Sequence, residues 1–332
     1  LVRIHLQSSS NLENKGNDVL SIKRKFFLLL HQNENYNQWL MKKYAFIFVS
    51  LFSMIAIAQE NPILLFPNGA PGETKKMKQI DDWSGPKVGG CPVLRISNVS
   101  EPTLTFYPAP ANNNSGTTII VSPGGGYNIL AYNLEGSEIC KHFNTFGVNC
   151  VLLKYRVPRR EGLEKHVAPL QDLQRAIAYT RFHAKDWNID PNKIGVIGFS
   201  AGAHLSAMAS TAYKERTYPA TDNADNESLR PDFCLLIYPA YLDGSDFSIA
   251  PELKVTSDTP PTFLVQTEDD TKLVNSSIFY YYALKEAKVP ASLHLYTTGG
   301  HGYGLRNTGH LVNEWPYRAL DWLRDIGMLP NK

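Results

Sequence analysis

The chain has 332 residues, 43% of them apolar, and its 33 Lys and Arg against 31 Asp and Glu leave a formal net charge of +2. That length suits one large α/β domain or two small ones, and the near-balance of charge, without basic or acidic blocks, argues against a nucleic-acid or polyanionic partner. The four cysteines, Cys91, Cys140, Cys150 and Cys234, show no C-x-x-C spacing, which argues against a zinc or thioredoxin-type site.

Taken in chain order, residues 1–40 carry no methionine and no periodic pattern, and are read as an upstream or disordered extension outside the fold. Met41-Lys42-Lys43 then leads into an apolar run, Tyr44 to Ile57, ending in Ala56-Ile57-Ala58. A basic start, an apolar core too short to span a bilayer and small residues at the −3 and −1 positions predict a secretory signal over 41–58, cleaved after Ala58. No cysteine directly follows the cleavage point, so a lipid anchor is not expected; the alternative to a cleaved signal is the same run retained as a single membrane-anchoring helix, and with cleavage no permanent membrane anchor is expected. The mature chain is expected to be secreted or periplasmic.

Residues 59–102, rich in Pro, Gly and Lys with a dense turn cluster from Pro67 to Gly72, predict an extended N-terminal arm. From there apolar runs alternate with helical spacing. Strands are expected at Thr103–Tyr107, Thr117–Ser122, Val148–Tyr155, the run from Lys193 into Gly198, Phe233–Tyr238, Pro261–Gln266 and Ser292–Tyr296. Helices are expected at Glu135–Phe146, Ala168–Trp187, after Gly202, at Ser276–Ala287 and at His310–Asp325. Cys150 and Cys234 fall inside strand-like runs and read as small buried hydrophobes. This alternation predicts an α/β domain over 103–330, a mainly parallel central sheet flanked by helices on both faces.

The chemistry starts at Gly198-Phe199-Ser200-Ala201-Gly202, where an apolar strand turns into a small-residue helix. A G-x-S-x-G in that setting is a nucleophile elbow of the α/β-hydrolase kind. Glycines two before and two after the serine let the strained turn pass between strand and helix. A serine hydroxyl needs a base to take its proton and an acid to orient that base, and in α/β-hydrolases the acid and then the histidine follow the serine on loops after strands. Here Phe263–Gln266 runs into Thr267-Glu268-Asp269-Asp270, and Leu293–Tyr296 into Thr297-Thr298-Gly299-Gly300-His301-Gly302. Ser200 is thus the expected nucleophile and His301 the expected base. Only one of the adjacent carboxylates can aim at the ring, and the count of residues past the strand favours Asp270 over Asp269. Asp243 and Asp246, after the preceding strand, are weaker candidates. His204 on the elbow helix is expected to pack, His294 to be structural and His310 to be exposed or capping. The oxyanion donors are expected to be the Ala201 N–H, directly after the nucleophile, and amides of Gly124 and Gly125 in Pro123-Gly124-Gly125-Gly126.

Pro123-Gly124-Gly125-Gly126-Tyr127 with Glu135-Gly136, Leu153-Lys154-Tyr155-Arg156, the elbow with His204-Leu205, and Gly299–Gly304 together resemble the bacterial secreted acetylesterases. These are acetylxylan-esterase-like α/β-hydrolases, grouped with feruloyl-esterase-like proteins. The resemblance runs from about Pro62 to the C-terminus. It implies a serine carboxylesterase that removes acetyl or other acyl groups from polysaccharides such as xylan. It also implies a triad of Ser200, His301 and one of the paired aspartates, an oxyanion hole near Gly124, Gly125 and Ala201, an acylated carbohydrate as substrate, and no metal or organic cofactor. The acid loop departs from the family habit of a proline and a Val-Val-Pro run, continuing instead with Thr271-Lys272-Leu273-Val274. Two other readings stand beside this one: a serine peptidase of the same fold, for which ester cleavage is the easier chemistry, and an inactive carbohydrate-binding module, against which the intact set of three groups argues.

Overall fold

Strands rich in Val, Ile, Leu and Phe, apolar on consecutive positions, need cover on both sides, and the chain supplies it with helices. The computed structural model describes residues 61–331, all within one compact unit; the secretory signal and the extension before it lie outside the described residues. The chain enters through three short strands, β1 (Ile63–Leu64), β2 (Ile80–Asp82) and β3 (Arg95–Ser97), before β4 (Thr103–Tyr107) and β5 (Thr118–Ser122). After β6 (Leu130–Ala131) and a π-turn at Asn133–Ser137 come α1 (Glu138–Asn144), β7 (Asn149–Lys154), α2 (Val167–Phe182), β8 (Ile194–Phe199) and α3 (Ala201–Thr211). The second half holds β9 (Cys234–Ile237), β10 (Thr262–Thr267), α4 (Val274–Glu286), β11 (Ala291–Tyr296) and, after a 3₁₀ turn at Leu311–Glu314, α5 (Trp315–Asp325).

The large sheet has the order β1-β4-β7-β5-β8-β9-β10-β11. It is parallel from β7 through β11 and antiparallel where β1 meets β4 and β4 meets β7. Alternate strand residues feed two cores. Ile120, Val151, Val196, Leu236 and Leu264 pack under α2, α3 and α4, with Leu173, Ile177, Leu205 and Leu284. Their neighbours Val121, Leu152, Ile197, Leu235 and Val265 pack under α1 and α5, with Phe143, Trp315 and Leu323. Fully burying each such side chain stabilises the fold by roughly 1.5–3 kcal/mol before entropy is counted. Cys140, Cys150 and Cys234 are buried free thiols within these layers, and Cys91 is exposed and free.

The arm is more structured than its Pro/Gly-rich composition predicts. β1 adds an antiparallel edge to β4, and β2, β3 and β6 form a separate three-stranded sheet. Strands of two or three residues leave too little alternation to register as a pattern. Among the described residues no helix is long and apolar enough to cross a membrane.

Candidate active site

The turn from β8 into α3 holds Ser200 at φ 52°, ψ −118°, a conformation costing on the order of 1–3 kcal/mol for a residue with a Cβ. Its neighbours enforce it. A Cβ on Gly198 would lie 2.0 Å from the Gly202 carbonyl oxygen, and one on Gly202 would lie 2.1 Å from that of Ser122, so backbone passes where side chains cannot. The Ser200 N–H donates to the Ile237 carbonyl at 3.1 Å, and the Ser200 carbonyl accepts from Ala240 at 3.2 Å, tying the turn to the segment after β9.

Ser200, His301 and Asp270 meet at the rim of the sheet. His301 Nε2 lies 2.8 Å from Ser200 Oγ, and His301 Nδ1 lies 2.7 Å from Asp270 Oδ2. The histidine side chain keeps 33% of its surface exposed and the aspartate 9%. Asp269 turns the other way. Its two oxygens accept the N–H groups of Gly299 and Gly300 at 3.0 and 2.9 Å, and these two backbone donors hold its carboxyl below the usual carboxylate range. One aspartate therefore faces the ring while its neighbour ties down the loop that carries the ring. Thr267 Oγ1 donates to the Gly300 carbonyl at 2.7 Å, fastening the same loop to the end of β10.

The expected oxyanion donors divide. Ala201 is the first residue of α3, so its N–H has no intrahelical acceptor. In the glycine loop, the Gly125 carbonyl is engaged locally, accepting from Asn128 and Ile129 at 3.0 and 3.2 Å, while no residue among those described accepts from its N–H. Gly124 is a correction to the sequence reading. Its N–H donates to Glu135 Oε2 at 2.7 Å and is not available to a substrate.

Glu135 was visible in the sequence only as a motif position, and its part was missed. Its other oxygen accepts from the Tyr238 hydroxyl at 2.8 Å, and that hydroxyl in turn accepts the Gly304 N–H at 3.1 Å. The Tyr238 ring meets the His301 ring edge to face, centroids 4.9 Å apart. One buried carboxyl thus links the glycine loop to the histidine loop. Burial pushes that carboxyl up, and the donors from Tyr238 and Gly124 pull part of the way back. An acidic residue among the apolar positions of a helix start was the available signal.

The remaining candidates lie elsewhere. Asp243 accepts from Ser276 Oγ, and Asp246 sits in a loop at φ 56°. His294 Nε2 lies 3.1 Å from Ser292 Oγ, and exposed His310 lies 3.1 Å from Thr298 Oγ1. His204 does more than pack. Its Nδ1 lies 2.8 Å from the Tyr127 hydroxyl and its Nε2 3.2 Å from Glu252 Oε1. Burial pushes His204 down, while its hydrogen bond to Glu252 helps bring that carboxyl to about 2.

Comparison with known proteins places relatives around this geometry. The BD-FAE family matches residues 104–234, which hold the glycine loop and the elbow and stop short of Asp270 and His301. The chain is 31% identical over 239 residues to an acetylxylan esterase of Xylanibacter ruminicola, covering 64% of this chain and 46% of that protein. It is 30% identical over 211 residues to an endo-1,4-beta-xylanase B of Butyrivibrio fibrisolvens, covering 57% of this chain and 33% of that one. The chain thus spans between a third and about half of the length of these curated relatives. An acetyl ester-xyloside bifunctional hydrolase from Caldicellulosiruptor lactoaceticus superposes with a TM-score of 0.66 at 31% identity, over 83% of this chain and 99% of that structure.

Proposed function

The chain belongs to the acetylxylan-esterase-like α/β-hydrolases, and on that footing we propose that it is a serine carboxylesterase removing acetyl groups from xylan-type polysaccharides or their oligosaccharides. The observation that carries this reading is the hydrogen-bonded line Ser200 Oγ, His301, Asp270, with 2.8 and 2.7 Å links. In that line Ser200 Oγ attacks the ester carbonyl carbon while His301 Nε2 takes its proton. Asp270 holds the proton on Nδ1, which leaves Nε2 free as the base, and stabilises the imidazolium that forms. Negative charge on the carbonyl oxygen is met by the N–H groups of Ala201 and Gly125. The tetrahedral intermediate expels the sugar alkoxide, which takes the proton from His301 and leaves an acyl-serine. A water deprotonated by the same Nε2 then attacks the acyl carbon; acid is released and Ser200 regains its proton. Every step uses groups of this chain and one water.

The alternation of basic start, apolar run and Ala56-Ile57-Ala58 supports export as part of the same proposal; N-terminal sequencing of the secreted product should begin at Gln59. The central experiment measures acetate released from acetylated xylan and acetylated mannan, and ferulate released from feruloylated arabinoxylan, by wild type and Ser200→Ala. Acetylated xylan should be turned over fastest, and the variant should lose about 10⁴-fold or more in kcat. Absence of acetate release together with a Ser200 that a fluorophosphonate leaves unlabelled would overturn the assignment.

A further inference from the structure

One turn beyond the elbow serine, three residues from distant parts of the chain converge on the buried side of α3. His204 is completely buried on that helix, His166 caps the start of α2, and Glu252 comes from the loop between β9 and β10. One ligand-type atom from each lies within 4.8 Å of the other two. His166 Nδ1 is cut off from solvent and has no hydrogen-bond partner among the described residues. A buried polar atom without a partner asks for an explanation such as a water or an ion. Both His166 and Glu252 also line a cavity of about 490 Å³ that runs along Met208, Thr211 and Thr217, so the cluster has an approach from outside.

We propose that His166, His204 and Glu252 form a binding site for one divalent transition-metal ion of the zinc class, with its remaining coordination position toward the cavity. Two imidazole nitrogens and one carboxylate oxygen are a donor set that zinc favours, and the sites that keep an open position have three protein ligands. Bonds of about 2.1 Å in a tetrahedron put ligand atoms roughly 3.4 Å apart, so the cluster must tighten. The room for that lies with Glu252 on its loop and His166 at a helix start. His204 stays where α3 holds it, and the Tyr127 hydroxyl, 2.8 Å from its Nδ1, is the outer partner that ligating histidines ordinarily have.

The proton accounting closes. With Glu252 as its only hydrogen-bond partner among the described residues, Nε2 carries the proton and Tyr127 donates to Nδ1. An ion on Nε2 moves that proton to Nδ1, and the Tyr127 oxygen becomes the acceptor; nothing is oxidised or reduced. The cation that the site must displace is the Lys165 ammonium, 4.0 Å from Glu252 Oε1 and 4.7 Å from the Tyr241 ring centroid, on a flexible and partly exposed stem. Tyr127 directly follows the glycine loop, so the ion would brace the loop that carries Gly125.

The test is ion binding, read without ester turnover. Chelator-dialysed protein is titrated with Zn²⁺ by calorimetry and with Co²⁺ by visible absorption. Wild type should take up one ion per chain, show the cobalt bands of a four-coordinate nitrogen–oxygen site, and unfold at a higher temperature with zinc than without it. His166→Ala and Glu252→Gln should each weaken uptake by about 100-fold or more, and His204→Ala should abolish it. If His204→Ala fails to fold, the other two variants still decide. Ser200→Ala should bind zinc as wild type does, which separates this proposal from the esterase reading. No saturable uptake by wild type, or uptake unchanged in His166→Ala and Glu252→Gln, would overturn it.

Discussion

Two hydroxyl–imidazole–carboxylate lines meet helix α3 a single turn apart, and the contrast between them shows what makes one a reaction centre. At the rim, the Ser200 hydroxyl meets His301 Nε2 and the Asp270 carboxylate meets Nδ1. In the interior the order of nitrogens is reversed: the Tyr127 hydroxyl meets His204 Nδ1 and Glu252 meets Nε2. The rim hydroxyl sits on a strained turn beside amides without acceptors, with an exposed ring next to it. The interior hydroxyl is a phenol with no exposed surface, which burial pushes well above its ordinary range. A relay of polar groups is therefore common property; exposure, strain and oxyanion donors are what distinguish the rim.

The largest test of that contrast removes the orienting carboxylate. Asp270→Asn should lower kcat about 10⁴-fold, because the amide leaves His301 in the wrong tautomer; steady-state hydrolysis of an aryl acetate reads it directly. Next comes Gly125→Ala. Its Cβ would lie 2.1 Å from the Ile129 carbonyl oxygen at a φ of +133°, so the loop must move. The loss of one oxyanion donor should then cost roughly 10²–10³ in kcat, with slower fluorophosphonate labelling of Ser200.

Asp269→Asn should be far milder than its neighbour, since one amide oxygen still accepts from the loop; about 1 kcal/mol, or less than tenfold in kcat, is expected. A ratio near one between the two asparagine variants would erase the distinction drawn between the carboxylates. On the interior line, Glu252 is held at about 2 against 4.5 for the free group, chiefly by the hydrogen bond from His204. A depressed carboxyl stabilises the fold above the unfolded value, so that contribution is present above pH 4.5 and disappears as pH falls from there through 2. Urea midpoints of wild type should drop over that window more steeply than those of Glu252→Gln. The smallest effect is Tyr127→Phe, which removes one buried hydrogen bond and should lower unfolding free energy by about 1 kcal/mol.

Glu135 and Tyr238 explain why the rim holds its shape, and they also mark where sequence reading stops. Glu135→Gln turns an acceptor of two hydrogen bonds into a group with only one accepting end. Gly124 or Tyr238 is then left opposite an amide nitrogen, a buried mismatch of roughly 1–3 kcal/mol.

The sequence by itself determined the order of the main strands and helices, the elbow at Ser200 and the loop that carries His301. Those features follow from short-range causes: apolar runs that must be buried, and glycines where backbone meets backbone within a few residues. Tertiary structure alone decided the rest. Counting residues past the strand already favours Asp270, but that Asp269 ties down the histidine loop depends on backbone 30 residues away, and the capture of the Gly124 amide by Glu135 depends on how a helix start folds back across 11 residues. The links from Tyr238 to Glu135 over 103 residues, and from His204 to Glu252 over 48, have no local signature at all. Hydrogen-bond partners are selected by distance in space to within a few tenths of an ångström, and a linear pattern carries no record of that distance.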